Sequence, residues 1–240
     1  MNEANIHQES KYFRKVQEYL GEFVYGGIDG AVTTFAVVAG GFGADLAPGI
    51  IIILGFANLL ADGFSMSVGA FLSAKSNQEN YKKHEAIEYW EIENLPDIER
   101  EEIVDIYKAK GFKGELLEKV VDQITSNKDL WVAEMMKDEL NLMEETKSPF
   151  KIGLATFISF ILVGFIPLLV YLWTFFNPSS INVFLWTSIL TAGAFVIVGW
   201  LKSNVNQTSS LKSISETVAL GLLAAVVAFY VGDILEKFFI

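Results

Sequence analysis

Several stretches of this chain run for twenty or more residues with at most one charge, a pattern that a water-soluble core of 240 residues has no room to bury. Crossing a bilayer as a helix takes about 20 apolar residues. Five segments reach that length: 23–43, 46–74, 150–176, 181–201 and 214–235. In hydrocarbon each backbone N–H and C=O must be satisfied within its own segment or in a closed barrel, and segments this long are helices. A mean hydropathy of +0.36 agrees with lipid as the solvent. The expected fold class is an all-α membrane protein of five transmembrane helices, with a cytoplasmic helical metal-binding insert between the second and the third.

That insert stands out by charge. Residues 76–149 hold nineteen of the 29 Asp and Glu residues, so the formal net charge of −11 describes this segment more than the molecule. Such a balance argues against nucleic acid as a partner and points to cations. With no cysteine, disulfides, thiolate zinc sites, iron–sulfur clusters and thiol nucleophiles are excluded. The organisation expected is an amphipathic segment over 1–22, two membrane helices over 23–75, the insert over 76–149, and three membrane helices over 150–240. The polar first twenty residues lack an apolar stretch with a cleavage site, so no signal peptide is expected.

The short connections carry stop signals. A tight turn is expected around Asp45 and Pro48, and Asn177-Pro178-Ser179-Ser180 separates the third and fourth spans. Pro167, inside the third span, should kink it. Lys11, Arg14, Lys15 and the twelve basic residues of the insert and its flanks lie on one side, with Lys202 and Lys212; only Lys237 breaks the pattern. By the positive-inside rule the N-terminus and the insert are cytoplasmic and the C-terminus is outside. Tyr12, Phe13, Val16, Tyr19 and Leu20 recur at helical spacing, which predicts a short amphipathic helix on the inner membrane surface.

Three groups of residues could carry chemistry. Asp29 sits in the apolar stretch Tyr25-Gly26-Gly27-Ile28-Asp29-Gly30, where a carboxylate costs about 2.5–3.5 kcal/mol on insertion scales and normally faces a cavity, a partner or an ion path. Thr33, one turn on, can present a hydroxyl to the same face. In the second span Asn58, Asp62 and Met66 fall at i, i+4 and i+8, two oxygen-bearing side chains and a thioether on one stripe; ordinary helix packing would explain the same stripe. Gly26 and Gly30 have the spacing that permits close helix approach and self-association. In the insert, carboxylates recur three apart, Glu88 with Glu91 and Glu99 with Glu102, and Met135, Met136 and Glu139 share one turn. Carboxylates alone suit calcium or magnesium, and thioethers beside them favour a softer first-row metal. A merely solvated acidic face would also contain such pairs. The two histidines, His7 and His84, fall in no Glu-x-x-His motif, which argues against a di-iron bundle. No phosphate-binding Gly-Lys-Ser/Thr loop is present, so ATP-driven pumping is not built into the chain.

Asp29-Gly30-Ala31-Val32-Thr33-Thr34-Phe35-Ala36-Val37-Val38-Ala39-Gly40 resembles the first-helix signature of the vacuolar iron transporter family, and Ala57-Asn58-Leu59-Leu60-Ala61-Asp62-Gly63-Phe64-Ser65-Met66 resembles its second. Glu88, Glu91, Glu99, Glu102, Met135, Met136 and Glu139 fall where that family places its cytoplasmic metal ligands. Tyr107 followed by Gly111, Trp131 ahead of the Met pair, and Ser148-Pro149 entering the third span are similar too, so the resemblance covers nearly the whole chain. It implies a homodimer that exports Fe²⁺ from the cytosol in exchange for protons, along a path at the dimer interface lined by Asp29 and Met66. Many relatives carry a Glu where this chain has Ala70.

The function expected is thus proton-coupled export of Fe²⁺, with Mn²⁺, Co²⁺ or Zn²⁺ as further substrates that this ligand set does not separate. The chain is expected to be no enzyme and to need no resident cofactor. Its partners are the metal ion, protons, the bilayer and a second copy, in a prokaryotic inner membrane, or a vacuolar membrane in a eukaryote. The competing reading is a membrane-anchored metal sensor or store, which binds ions and moves none.

Overall fold

A computed structural model describes residues 18–239, which are helical with no strand among them. The helices are α1 (Leu20–Gly43), α2 (Pro48–Asn94), α3 (Pro96–Ala109), α4 (Gly114–Thr125), α5 (Lys128–Glu134), α6 (Pro149–Gly164), α7 (Leu169–Phe176), α8 (Val183–Asn206) and α9 (Ser210–Phe239). A π turn over Met135–Glu139 follows α5, and a short 3-10 turn over Ile166–Leu168 joins α6 to α7. Five stretches are long and apolar enough to cross a membrane: α1, α2, α6 through α7, α8 and α9. This is a membrane protein. Tyr12, Phe13 and Val16 of the expected amphipathic helix lie outside the described residues.

Local chemistry sets the boundaries. After α1, Asp45 takes a left-handed backbone with φ 50°, and the N–H groups of Asp45 and Leu46 donate to the carbonyls of Phe42 and Gly41. Pro48 and Pro149 open α2 and α6, where the missing N–H of proline would have had no helical partner. Pro167 interrupts its span as its chemistry requires: α6 stops at Gly164 and the 3-10 turn intervenes before α7. Asn182 caps α8, its side-chain oxygen accepting from the Leu185 N–H at 3.0 Å.

One boundary differs from the sequence reading. The change from apolar to charged residues at 76 is not a break in the helix, because α2 runs on to Asn94. Residues 75–94 contain neither Gly nor Pro, so nothing in them ends the helix. It stops only at Leu95, which precedes Pro96 and is held out of the helical region with ψ 41°. Two units result: Ser73–Thr146 is one, and the chain on either side of it is the other.

Within the membrane unit α1 packs against α6, α8 and α9. Its glycines make that possible. A Cβ at Gly26 would stand 2.6 Å from the Thr156 carbonyl oxygen, and one at Gly30 would run into the backbone of Phe160. The Gly26–Gly30 spacing is therefore used inside one chain, against α6, and not for the self-association read from it. Lys147 bonds Glu22 at 2.9 Å and the Ser148 N–H donates to the Tyr19 hydroxyl at 3.3 Å, tying the start of α6 to the start of α1. In the other unit, the charged end of α2 and helices α3, α4 and α5 surround a core that includes Ile92, Ile103, Leu117, Val121, Trp131 and Met135.

Because the obstacle at Gly30 is backbone, Gly30→Ala should lower the thermal midpoint of the detergent-purified protein. Overpacking of this kind costs about 1–3 kcal/mol. Gly21→Ala, which meets open space, should leave the midpoint unchanged or slightly raised.

Candidate metal-binding site

The last turns of α2 and the first turns of α3 form the wall of an acidic site. Glu88 and Glu91 are one turn apart on α2, and Glu99 and Glu102 are one turn apart on α3. The reversal at Leu95-Pro96 brings the pairs together: carboxylate oxygens of Glu88, Glu91 and Glu99 all lie within 4.8 Å of one another. Glu88 and Glu99 are 3% and 4% exposed, and the Oε2 atom of each is buried with no hydrogen-bond partner. Such an atom normally has a partner, and a charged one needs it most.

The electrostatics have one sign. Burial first, then the charges of Glu139, Glu99, Glu91 and Glu102, push the Glu88 carboxyl up to about 7. Burial followed by Glu102, Glu91 and Glu139 does the same to Glu99, also up to about 7. Glu102 is raised by burial and then by Glu91, and Glu139 by burial and then by Glu102 and Glu91. Among the described residues none of these five glutamates is paired with a Lys or Arg. The five singled out in the sequence thus form one electrostatic cluster.

Met135 and Met136, which share a turn with Glu139 in the sequence, face inward. Both are fully buried in the core of the insert, packed with residues such as Ile103 and Val121. The segment is a π turn, in which the Leu140 N–H reaches back five residues to the Met135 carbonyl at 3.2 Å. Single π turns inside α-helices are frequent at functional sites. Asp138, in the same turn, bonds Lys110 at 2.5 Å, and Glu134 accepts from the Tyr107 hydroxyl at 3.1 Å.

The membrane residues form a second, sparser set. Asp29 is half-buried in α1 and Asp62 is exposed on α2, close enough for their charges to interact. The Thr33 hydroxyl donates to the backbone carbonyl of Asp29 at 2.9 Å, so its proton is held by its own helix and not offered to the carboxylate face. Asn58 is half-buried with its Nδ2 unpartnered. Met66 is half-buried against the core formed by Val38, Leu59 and Phe160 among others, which is the packing role that its thioether could equally serve.

With this geometry in view, comparison with known proteins is informative. The model of the VIT family matches residues 20–233. The chain belongs to the VIT family. A protein named "Vacuolar iron transporter" in Toxoplasma gondii is 34% identical over 226 residues, covering 91% of this chain and 75% of the relative. One of the same name in Plasmodium falciparum is 30% identical, covering 97% and 88%. "Vacuolar iron transporter 1" of Arabidopsis thaliana is 29% identical, covering 96% and 91%.

In this VIT-family chain the raised carboxyls of Glu88 and Glu99 predict how stability follows pH without metal. A carboxyl whose folded pKa, about 7, exceeds its ordinary value of 4.5 favours folding while protonated, so its contribution is complete below the ordinary value and is lost as pH rises through 7. The metal-free protein should melt at a lower temperature at pH 8 than at pH 5.5. Glu88→Gln should flatten that difference, and Mn²⁺ at pH 8 should restore stability to the parent. Differential scanning fluorimetry in detergent reads all three.

Proposed function

We propose that this protein exports Fe²⁺ from the cytosol across its membrane in exchange for protons. The observation that carries the reading is the pair of buried, unpartnered carboxylate oxygens of Glu88 and Glu99 within a five-glutamate cluster that no basic residue among the described ones neutralises. A divalent cation supplies the missing charge, and oxygen ligands suit hard or borderline ions. The names of the relatives, which speak of iron, favour Fe²⁺, with Mn²⁺, Co²⁺ and Zn²⁺ as substrates of similar chemistry. Glu88, Glu91, Glu99, Glu102 and Glu139 hold the ion, and the thioethers of Met135 and Met136 bias the site toward softer metals. The metal is cargo, with no resident cofactor and no enzymatic reaction.

Asp29 argues for transport over storage, because an anchor has no use for a carboxylate inside an apolar helix. Asp62 points the same way. It is exposed on an apolar span, together with Ala57, Ala61, Ser65 and Gly69 along one helix face. Small residues on a membrane helix permit close approach of another helix, and a second copy seated there would take Asp62 out of lipid. The ion path then runs along that dimer interface past Asp29, Asn58, Asp62 and Met66, with the insert on the cytosolic side gathering ions for it.

Proteoliposomes loaded with an Fe²⁺-sensitive dye test the reading. Parent protein should move Fe²⁺, faster under a pH gradient, and Asp29→Ala should abolish the flux. Binding without flux by the parent would make the protein a store or sensor, and full transport by Asp29→Ala would remove the proposed path. Calorimetric titration of Glu139→Ala should show metal affinity at least tenfold weaker; unchanged affinity would take Glu139 out of the ligand set.

A further inference from the structure

The insert has more acids than any one ion can use, and the structure separates those left free from those engaged by a base. Glu134, Asp138 and Glu139 lie within six residues of one another, yet they face different ways: the charge of Glu139 acts on Glu88 and Glu99, while Glu134 and Asp138 face a base. Asp138 bonds Lys110 Nζ at 2.5 Å, and Glu134 lies 3.7 Å from the same ammonium. Glu134 also accepts from the Tyr107 hydroxyl, and Lys110 Nζ sits 4.4 Å over the Tyr107 ring. The charge of Lys110 is engaged by this group, and among the described residues it forms no ion pair with any of the five glutamates.

The position of Lys110 is itself fixed. It ends α3, and Gly111 takes φ 97°, a conformation that favours glycine. The Gly111 N–H donates to the Lys108 carbonyl at 2.9 Å and the Phe112 N–H to the Tyr107 carbonyl at 3.1 Å, the two bonds of a Schellman cap. The cap lays the Phe112 ring edge-on to Tyr107, with centroids 5.4 Å apart. The backbone thus aims Lys110 and Tyr107 at the π turn that carries Met135, Met136 and Glu139.

We propose that Lys110 is a positioning residue of the metal site: it clamps the π turn through Asp138 and removes Asp138 and Glu134 from the pool of free carboxylates, so that Glu139 alone of the three joins Glu88, Glu91, Glu99 and Glu102. This rests on the reading that those glutamates bind metal. The clamp and a long-range electrostatic role predict opposite signs. Removing Lys110 makes the insert one charge more negative, which by charge alone tightens binding of a cation. Loss of the clamp lets the π turn relax and weakens it.

The test is calorimetric titration of the full-length protein in detergent with Mn²⁺. Lys110→Met should weaken affinity at least fivefold, and Lys110→Arg should stay within twofold of the parent. Asp138→Asn, which keeps the shape of the side chain and loses the ion pair, should weaken it as Lys110→Met does. The Lys110→Met/Asp138→Asn double variant should be no weaker than the worse single one, because the two residues act as a unit. If Lys110→Met does not fold, Lys110→Gln, which also removes the positive charge and so keeps the opposite signs of the two readings, decides. Unchanged or tighter Mn²⁺ binding by the folded variants overturns the positioning role and leaves the metal site standing. Absence of binding by the parent overturns the metal site and the role with it.

Discussion

Carboxylates held away from both water and a basic partner are the costly element on which the functional arrangement turns. Glu88 and Glu99 are nearly inaccessible, repel one another's neighbours, and keep an oxygen each without a hydrogen bond. A protein can tolerate this in three ways: bind a proton, bind a cation, or move the groups apart. The reversal at Leu95-Pro96 and the packing of Ile92 and Ile103 beneath it prevent the third. The site is left to choose between proton and metal, and competition between those two is the chemistry an exchanger of metal for protons needs.

The membrane unit answers a different constraint. Apolar side chains gain little by leaving lipid for one another, so helix association there depends on close contact. Glycines supply it: α1 brings Gly26 and Gly30 against α6, and Gly40 and Gly43 against α9, where Gly232 returns the contact. With α1 held on several sides, Asp29 is half-buried by protein and not left to the hydrocarbon. On α2 the small residues Ala57, Ala61, Ser65 and Gly69 are exposed among the described residues, which separates them from the glycines already used in folding.

Much of this was legible in the sequence, for reasons that differ by feature. The spans follow from length and hydropathy, and the kink at Pro167 from a missing N–H, both local properties. The glutamate pairs were visible because helical spacing puts residues three apart on one face. Their convergence was not, since it depends on the angle at which the chain leaves α2 at Leu95, a tertiary outcome. The unbroken run of α2 through residue 76 was masked by the abrupt change in polarity, although the absence of Gly and Pro carried the signal. Met135 and Met136 were legible as neighbours of Glu139 on one turn, but their burial in the core was not. A π turn changes the rotation per residue, and no spacing rule built on 3.6 residues per turn anticipates which side chains it buries. Gly26 and Gly30 fitted self-association and internal packing equally well, since the motif encodes closeness and not the partner.

What periodicity hides most completely is the sorting of charge. The insert carries acids on nearly every helical face, so composition alone makes each of them an equal candidate. In the folded unit, bases and hydroxyls select among them: Arg100 pairs with Asp122, Lys108 with Asp105, Lys119 with Glu115, Lys128 with Glu93, and Tyr89 donates to Asp129. Most of these pairs are exposed and contribute little to stability. Their effect is on where the field points. Each paired acid loses most of its pull on a cation, while Glu88, Glu91, Glu99, Glu102 and Glu139 keep theirs and add to one another. Binding specificity in so acidic a segment therefore depends as much on which carboxylates are neutralised as on which are present, and Lys110 acts where that distinction is finest, between residues 138 and 139.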